Sequence, residues 1–241
     1  MLRPRSGHGQ WVASEAYILN PVVPATEFPD MYGNLCQRLL APAGHFAIHT
    51  DMVVDTAISH DIEPGTPFTP VAELPDSVFL FLLPSRYCES DQLHGLATDI
   101  VADALTGYDQ VEAIRAWIYH HISYQRGVSD TSTSALDTAN QRAGVCRDMT
   151  HLGIGLCRSL DIPARMVVGY LHNLKPMDMH AWFEAFVGGR WYTFDAMQAQ
   201  PGGSRIAIAY GRDATDVALA TTFGPATMTS LQVKVEALQR N

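Results

Sequence analysis

The chain has 241 residues, enough for one large domain or two small ones. Hydrophobic residues make up 47% and charged residues 17%, so it can bury a sizeable core and does not read as disordered. Sixteen Lys and Arg against 25 Asp and Glu leave a formal charge of −9. That balance argues against a nucleic-acid binder and makes an anionic membrane surface a poor partner.

Residues 1–83 read as β-rich. The stretch His45 to Asp55 alternates, with Phe46, Ile48, Thr50 and Met52 on one face, the pattern of a half-buried strand. Pro64, Pro67, Pro70 and Pro75 then rule out one continuous regular element. The longest apolar run, Val78 to Leu83, is far short of the roughly twenty residues a bilayer span needs. The first residues turn polar at once, without a secretory leader, so a cytoplasmic protein is expected.

From residue 84 the period becomes helical. Leu93, Leu96, Ile100 and Val101 fit one helix face; Val111, Ile114, Ile118 and Ile122 fit a second, with Thr106 or Asp109 as its N-cap. A Ser/Thr-rich loop from Ser129 to Ser134 precedes a short helical stretch ending at Gly144. Residues 146–160 predict a further helix, stopped at Asp161-Ile162-Pro163. Three strands follow, 165–171, 180–187 and 190–196, the last two joined by the hairpin signal Gly188-Gly189.

Cys146 opens the 146–160 helix, where the macrodipole and free N–H groups favour a thiolate. Cys157, about 16 Å along the same helix, reads as a small core residue. With Gly188-Gly189 as the hairpin loop, Val187 faces Arg190 and Trp182 faces Asp195. His180 and Asp195 are then diagonal neighbours on one face, about 7–8 Å apart at Cα and within hydrogen-bonding reach of each other's side chains. Trp182, Glu184, Trp191 and Thr193 share that face. Ala181, Phe183, Ala185, Val187, Tyr192 and Phe194 form an apolar one. A thiol, an imidazole and an orienting carboxylate make a nucleophile–base–orienter set.

The blocks Gly144-Val145-Cys146-Arg147-Asp148, Asp161 to Tyr170, Met179 to Glu184 and Trp191-Tyr192-Thr193-Phe194-Asp195 occur in that order. Together they resemble the bacterial transglutaminase-like superfamily over residues 84–241. The resemblance implies an α+β fold with a papain-like core, in which a Cys helix packs on an antiparallel sheet, and a Cys-His-Asp triad of Cys146, His180 and Asp195. Residues 1–83 look like the β-rich domain that precedes this core in bacterial members, entering at Leu2-Arg3-Pro4-Arg5 where relatives have an earlier strand, as a truncated start would. Two further features bear on the site. Relatives follow the triad Asp with Pro-Thr, whereas here Ala196-Met197 follows. Asn140 and Gln141 both lie where papain-type enzymes place an oxyanion-hole Gln.

Other signals read as structural. Asp148 suits the first turn of its helix, and His151 suits packing or solvent. His120-His121 are adjacent on a helix and do not face one another. His45 and His49 would lie about 13 Å apart on a strand, too far for one ion. The aromatics Trp117, Trp182 and Trp191 read as core or cleft wall. No cofactor or metal is called for. The expected activity is amide hydrolysis through a thioester, on a peptide or protein substrate. Acyl transfer to an amine and a non-catalytic binding module are the alternatives, with no calcium-site motif to favour the first.

Overall fold

A computed structural model describes residues 1–7, 9–57, 61–199 and 204–238. The N-terminal part holds four strands among the described residues. A long ribbon pairs β1 (Gln10–Asn20) antiparallel with β4 (Ala47–Thr56), and a smaller one pairs β2 (Ala25–Pro29) with β3 (Leu35–Leu39). The proline-rich stretch folds as two 3-10 turns, Val71–Glu73 and Asp76–Phe81, each preceded by a proline in extended conformation. Leu74 and Val78 bury against Phe186 of the downstream sheet, whereas Phe79 and Leu83 of the apolar run stay exposed.

Helix α1 (His94–Ile100) leads to α2 (Tyr108–His121), whose Val111, Ile114 and Ile118 are fully buried, as the spacing predicts. The N-cap of α2 is Gly107, not Thr106 or Asp109. The loop of Thr66 to Phe68 lies so close that a Cβ at Gly107 would sit 2.3 Å from Thr66 O, and the Tyr108 N–H donates to that carbonyl. Asp109 instead accepts from the Gly65 N–H at 2.7 Å. Two short strands, β5 (Ser123–Tyr124) and β6 (Ala143–Gly144), pair in parallel on either side of α3 (Ala135–Gln141). Ser134 caps α3 through Asp137 N.

The central helix α4 (Cys146–Arg158) is buried at every residue from Asp148 to Arg158. It lies on an antiparallel sheet ordered β10-β7-β8-β9: β7 (Ala164–Leu171), β8 (His180–Val187), β9 (Arg190–Phe194) and β10 (Arg205–Gly211). The close approach depends on Gly153. A Cβ there would meet the Phe183 ring at 2.6 Å, so a helix-weakening glycine is retained for packing.

The hairpin register is the predicted one, from Val187↔Arg190 to Phe183↔Phe194. The predicted apolar face is buried throughout and joins the main core with Leu152, Ile154 and Leu156. The other face is also covered. Phe186 and Trp191 meet Leu74 and Val78, while Arg165 pairs with Glu184 at 2.6 Å between the rings of Trp191 and Tyr210. The fold is thus α+β, with helices grouped on one side of the sheet.

Candidate active site

Val145 is extended, and Cys146 is the first residue of α4, half-buried at the surface end of an otherwise buried helix. Asp148 anchors this end. Its Oδ2 accepts the Val145 N–H at 2.9 Å, and its Oδ1 pairs with Arg147 at 2.7 Å. A Cβ at Gly144 would strike Asp148, so the Gly-Val-Cys approach and the carboxylate are shaped to each other.

His180, at the start of β8, is 2% exposed, and its Nε2 hydrogen-bonds Asp195 Oδ2 at 2.8 Å. The Cys146 thiol is the other side chain that acts on this imidazole. With Nε2 facing the carboxylate, Nδ1 is the nitrogen left for the thiol. Burial alone would lower the imidazole pKa, yet hydrogen bonds and charge from Asp195 and Cys146 outweigh it and raise the value to about 9. Burial likewise works against the Asp195 carboxylate, but His180 and Arg205 hold it down at about 2. The three predicted residues therefore converge, from one helix end, the start of β8 and the turn after β9.

The ladder ends at Phe194 rather than Ala196, because the chain turns at Asp195. The Met197 N–H donates to Asp195 Oδ1 at 3.0 Å and the Gln198 N–H donates to Asp195 O at 3.2 Å. The aspartate closes its own turn, so Ala196-Met197 serves without a proline.

Arg205 was not found by sequence reasoning. It enters from β10, two strands away from β8, and its Nη2 donates to Asp195 Oδ2 at 2.8 Å and to Gln198 Oε1 at 3.1 Å. No short-range pattern links positions 195 and 205. Trp182 walls this group, its ring 6.1 Å from that of His180 and 5.8 Å from the Arg205 guanidinium. At the surface, Arg126 pairs with Asp178 at 3.2 Å.

The remaining candidates are elsewhere. Asn140 and Gln141 stand exposed at the end of α3, and Gln141 lines a polar groove of about 380 Å³ with Asp130 and Asp137. His151 is buried, stacks on Tyr87 and accepts the Ala214 N–H at 3.1 Å; burial pushes its pKa down to about 4. His121 stacks on Trp117. Cys88 and Cys157 are fully buried, and burial pushes the Cys88 thiol up to about 12 and Cys157 higher still. Among the described residues no group of three or more His, Cys, Asp or Glu could hold a metal ion, and no helix is long and apolar enough to cross a membrane.

A family model described as the transglutaminase-like superfamily matches residues 94–196, the span from α1 past Asp195. A crystal structure described as a cysteine-protease candidate from Cytophaga hutchinsonii is 40% identical, covers 95% of this chain and 80% of that one, and superposes with a TM-score of 0.87. The chain belongs to the transglutaminase-like superfamily. This superfamily member is also 29% identical over 256 residues to an uncharacterized protein of Mycobacterium leprae, across 98% of this chain and 89% of the relative. Membership points to an enzyme with protein or peptide substrates.

Proposed function

We propose that the protein is a thiol-dependent amide hydrolase, a peptidase or amidase, working through Cys146, His180 and Asp195. The observation that carries this reading is the His180 ring held between the Asp195 carboxylate and the Cys146 thiol. His180 Nδ1 takes the thiol proton, and Cys146 Sγ attacks the amide carbonyl. The imidazolium then gives that proton to the leaving amine as the C–N bond breaks, leaving a thioester. His180 next deprotonates a water that attacks the thioester; the C–S bond breaks, acid is released and the thiol is restored. Asp195 keeps Nε2 protonated and stabilises the imidazolium. The Cys146 backbone N–H, in the first turn of α4 where N–H groups lack an intrahelical partner, supplies one oxyanion donor. A cytoplasmic setting, with all four cysteines as free thiols, belongs to the same reading.

The test is the pH dependence of Cys146 alkylation by iodoacetamide, read by peptide mass spectrometry with Cys157 as internal reference. Rapid alkylation well below the ordinary thiol pKa of about 8.5, lost in H180A, supports the reading. Equal rates in wild type and H180A overturn it. Amide substrates assayed with and without added amine then separate hydrolysis from acyl transfer.

A further inference from the structure

We propose that Arg205 is a positioning residue of this site: its guanidinium holds the Asp195 carboxylate in the orientation that meets His180, and the N-terminal ribbon holds the strand that carries it. The proposal rests on the reading above of Cys146, His180 and Asp195.

A carboxylate on a turn can rotate, and only one of its settings presents Oδ2 to His180. Here both oxygens are occupied. Oδ1 takes the Met197 N–H, and Oδ2 takes His180 Nε2 and Arg205 Nη2, each at 2.8 Å. Arg205 is therefore aimed at the very atom that orients the base. Its planar fork also reaches Gln198 Oε1, which fixes the plane of the guanidinium. Burying an arginine is costly, and replacing a buried ion pair by apolar side chains is often neutral for stability. Stability alone thus gives weak reason for a charge at this position, while orientation of Asp195 gives a direct one. Arg205 also helps to keep the carboxylate ionised.

The strand behind Arg205 is pinned at its backbone. Thr56 Oγ1, at the end of β4, donates to Arg205 O at 2.8 Å. Gln10, at the start of β1, pairs its side-chain amide with Ala207 in both directions, donating to the carbonyl and accepting from the N–H, each at 2.8 Å. Just beyond, β10 breaks register against β7 between Ala207 and Ala209. The ribbon substitutes side-chain groups for ladder partners on this side of β10. That gives the N-terminal β-rich part a role in the site: it sets the height of Arg205 against Asp195.

The experiment measures Cys146 alkylation across pH 4 to 10 in wild type, R205Q, R205K and T56V, alongside melting temperature. Without the guanidinium, Asp195 takes up a proton at higher pH and stops supporting the imidazolium. The rate at pH 4 relative to pH 8 then falls in R205Q, by about tenfold for each unit that the Asp195 pKa stands above 4. R205K keeps the charge but not the fork and falls between; T56V shows the same change in smaller measure. A wild-type pH profile in folded R205Q, with only the melting temperature lowered, overturns the proposal. If R205Q does not fold, a wild-type profile in R205K does so. The proton NMR signal of His180 Nε2–H, assigned by its loss in H180A, is read in parallel. Movement of its titration in R205K supports positioning even where alkylation proves independent of His180, an outcome that would sink the hydrolase reading alone.

Discussion

Replacing Asp195 by asparagine keeps the shape of the side chain and removes its charge, and the surroundings make that costly. Oδ1 accepts one N–H, from Met197, and Oδ2 accepts two, from His180 and Arg205. An amide NH2 in either place sets donor against donor. It also leaves Arg205, 5% exposed, facing a neutral group. Breaking a buried pair in this way costs about 3–5 kcal/mol. For a chain of this length that lowers the melting temperature by the order of 10 °C. The pH dependence has a defined sign. The pKa of His180 is raised from 6.5 to about 9, so its stabilising contribution is fully present below 6.5 and is lost as pH rises through about 9. The Asp195 value is lowered from 3.8 to about 2, so its contribution is present above 3.8 and is lost as pH falls through about 2. The gap in melting temperature between wild type and D195N is therefore widest from about pH 4 to 6.5 and narrows toward pH 9. Calorimetry at a series of pH values measures it. A gap below about 2 °C at pH 5.5, or one that does not vary with pH, refutes the reasoning.

Three further outcomes are expected. In the folded protein Cys146 is labelled by iodoacetamide, while Cys88 and Cys157 are labelled only after denaturation, since both are fully buried with raised thiol pKa values; peptide mapping checks this. R126Q leaves the melting temperature within about 3 °C of wild type, because the Arg126–Asp178 pair is exposed and such pairs contribute about 0–1 kcal/mol; a larger fall would contradict this. Gly153→Ala lowers the melting temperature despite better helix propensity: overpacking against Phe183 costs about 1–3 kcal/mol, against roughly 1 kcal/mol gained, and a rise would contradict the contact.

Much of the site was legible from local pattern. Two glycines set the hairpin register, the apolar alternation set its faces, and together they brought His180 to Asp195 without reference to anything distant. Cys146 stood out because helix starts carry their own signal. What escaped was non-local. Arg205 reaches Asp195 from a strand on the far edge of the sheet, and only the assembled strand order reveals it. The Gly107 cap escaped for the same reason, since the Thr66 carbonyl that meets α2 lies some forty residues upstream. The Val78 to Leu83 run carried no period, so neither its 3-10 shape nor the packing of Val78 on Phe186 could be read from it.

The attachment of β10 to Gln10 and Thr56 has a consequence for the newly made chain. Synthesis delivers Cys146, then His180, then Asp195, and last the strand bearing Arg205. That strand docks onto side chains made nearly two hundred residues earlier. Contacts so distant in sequence form late and slowly. On the proposed reading, a ribosome-bound fragment therefore carries Cys146 without its assembled partners, and its reactivity arrives only when β10 has docked on β1 and β4.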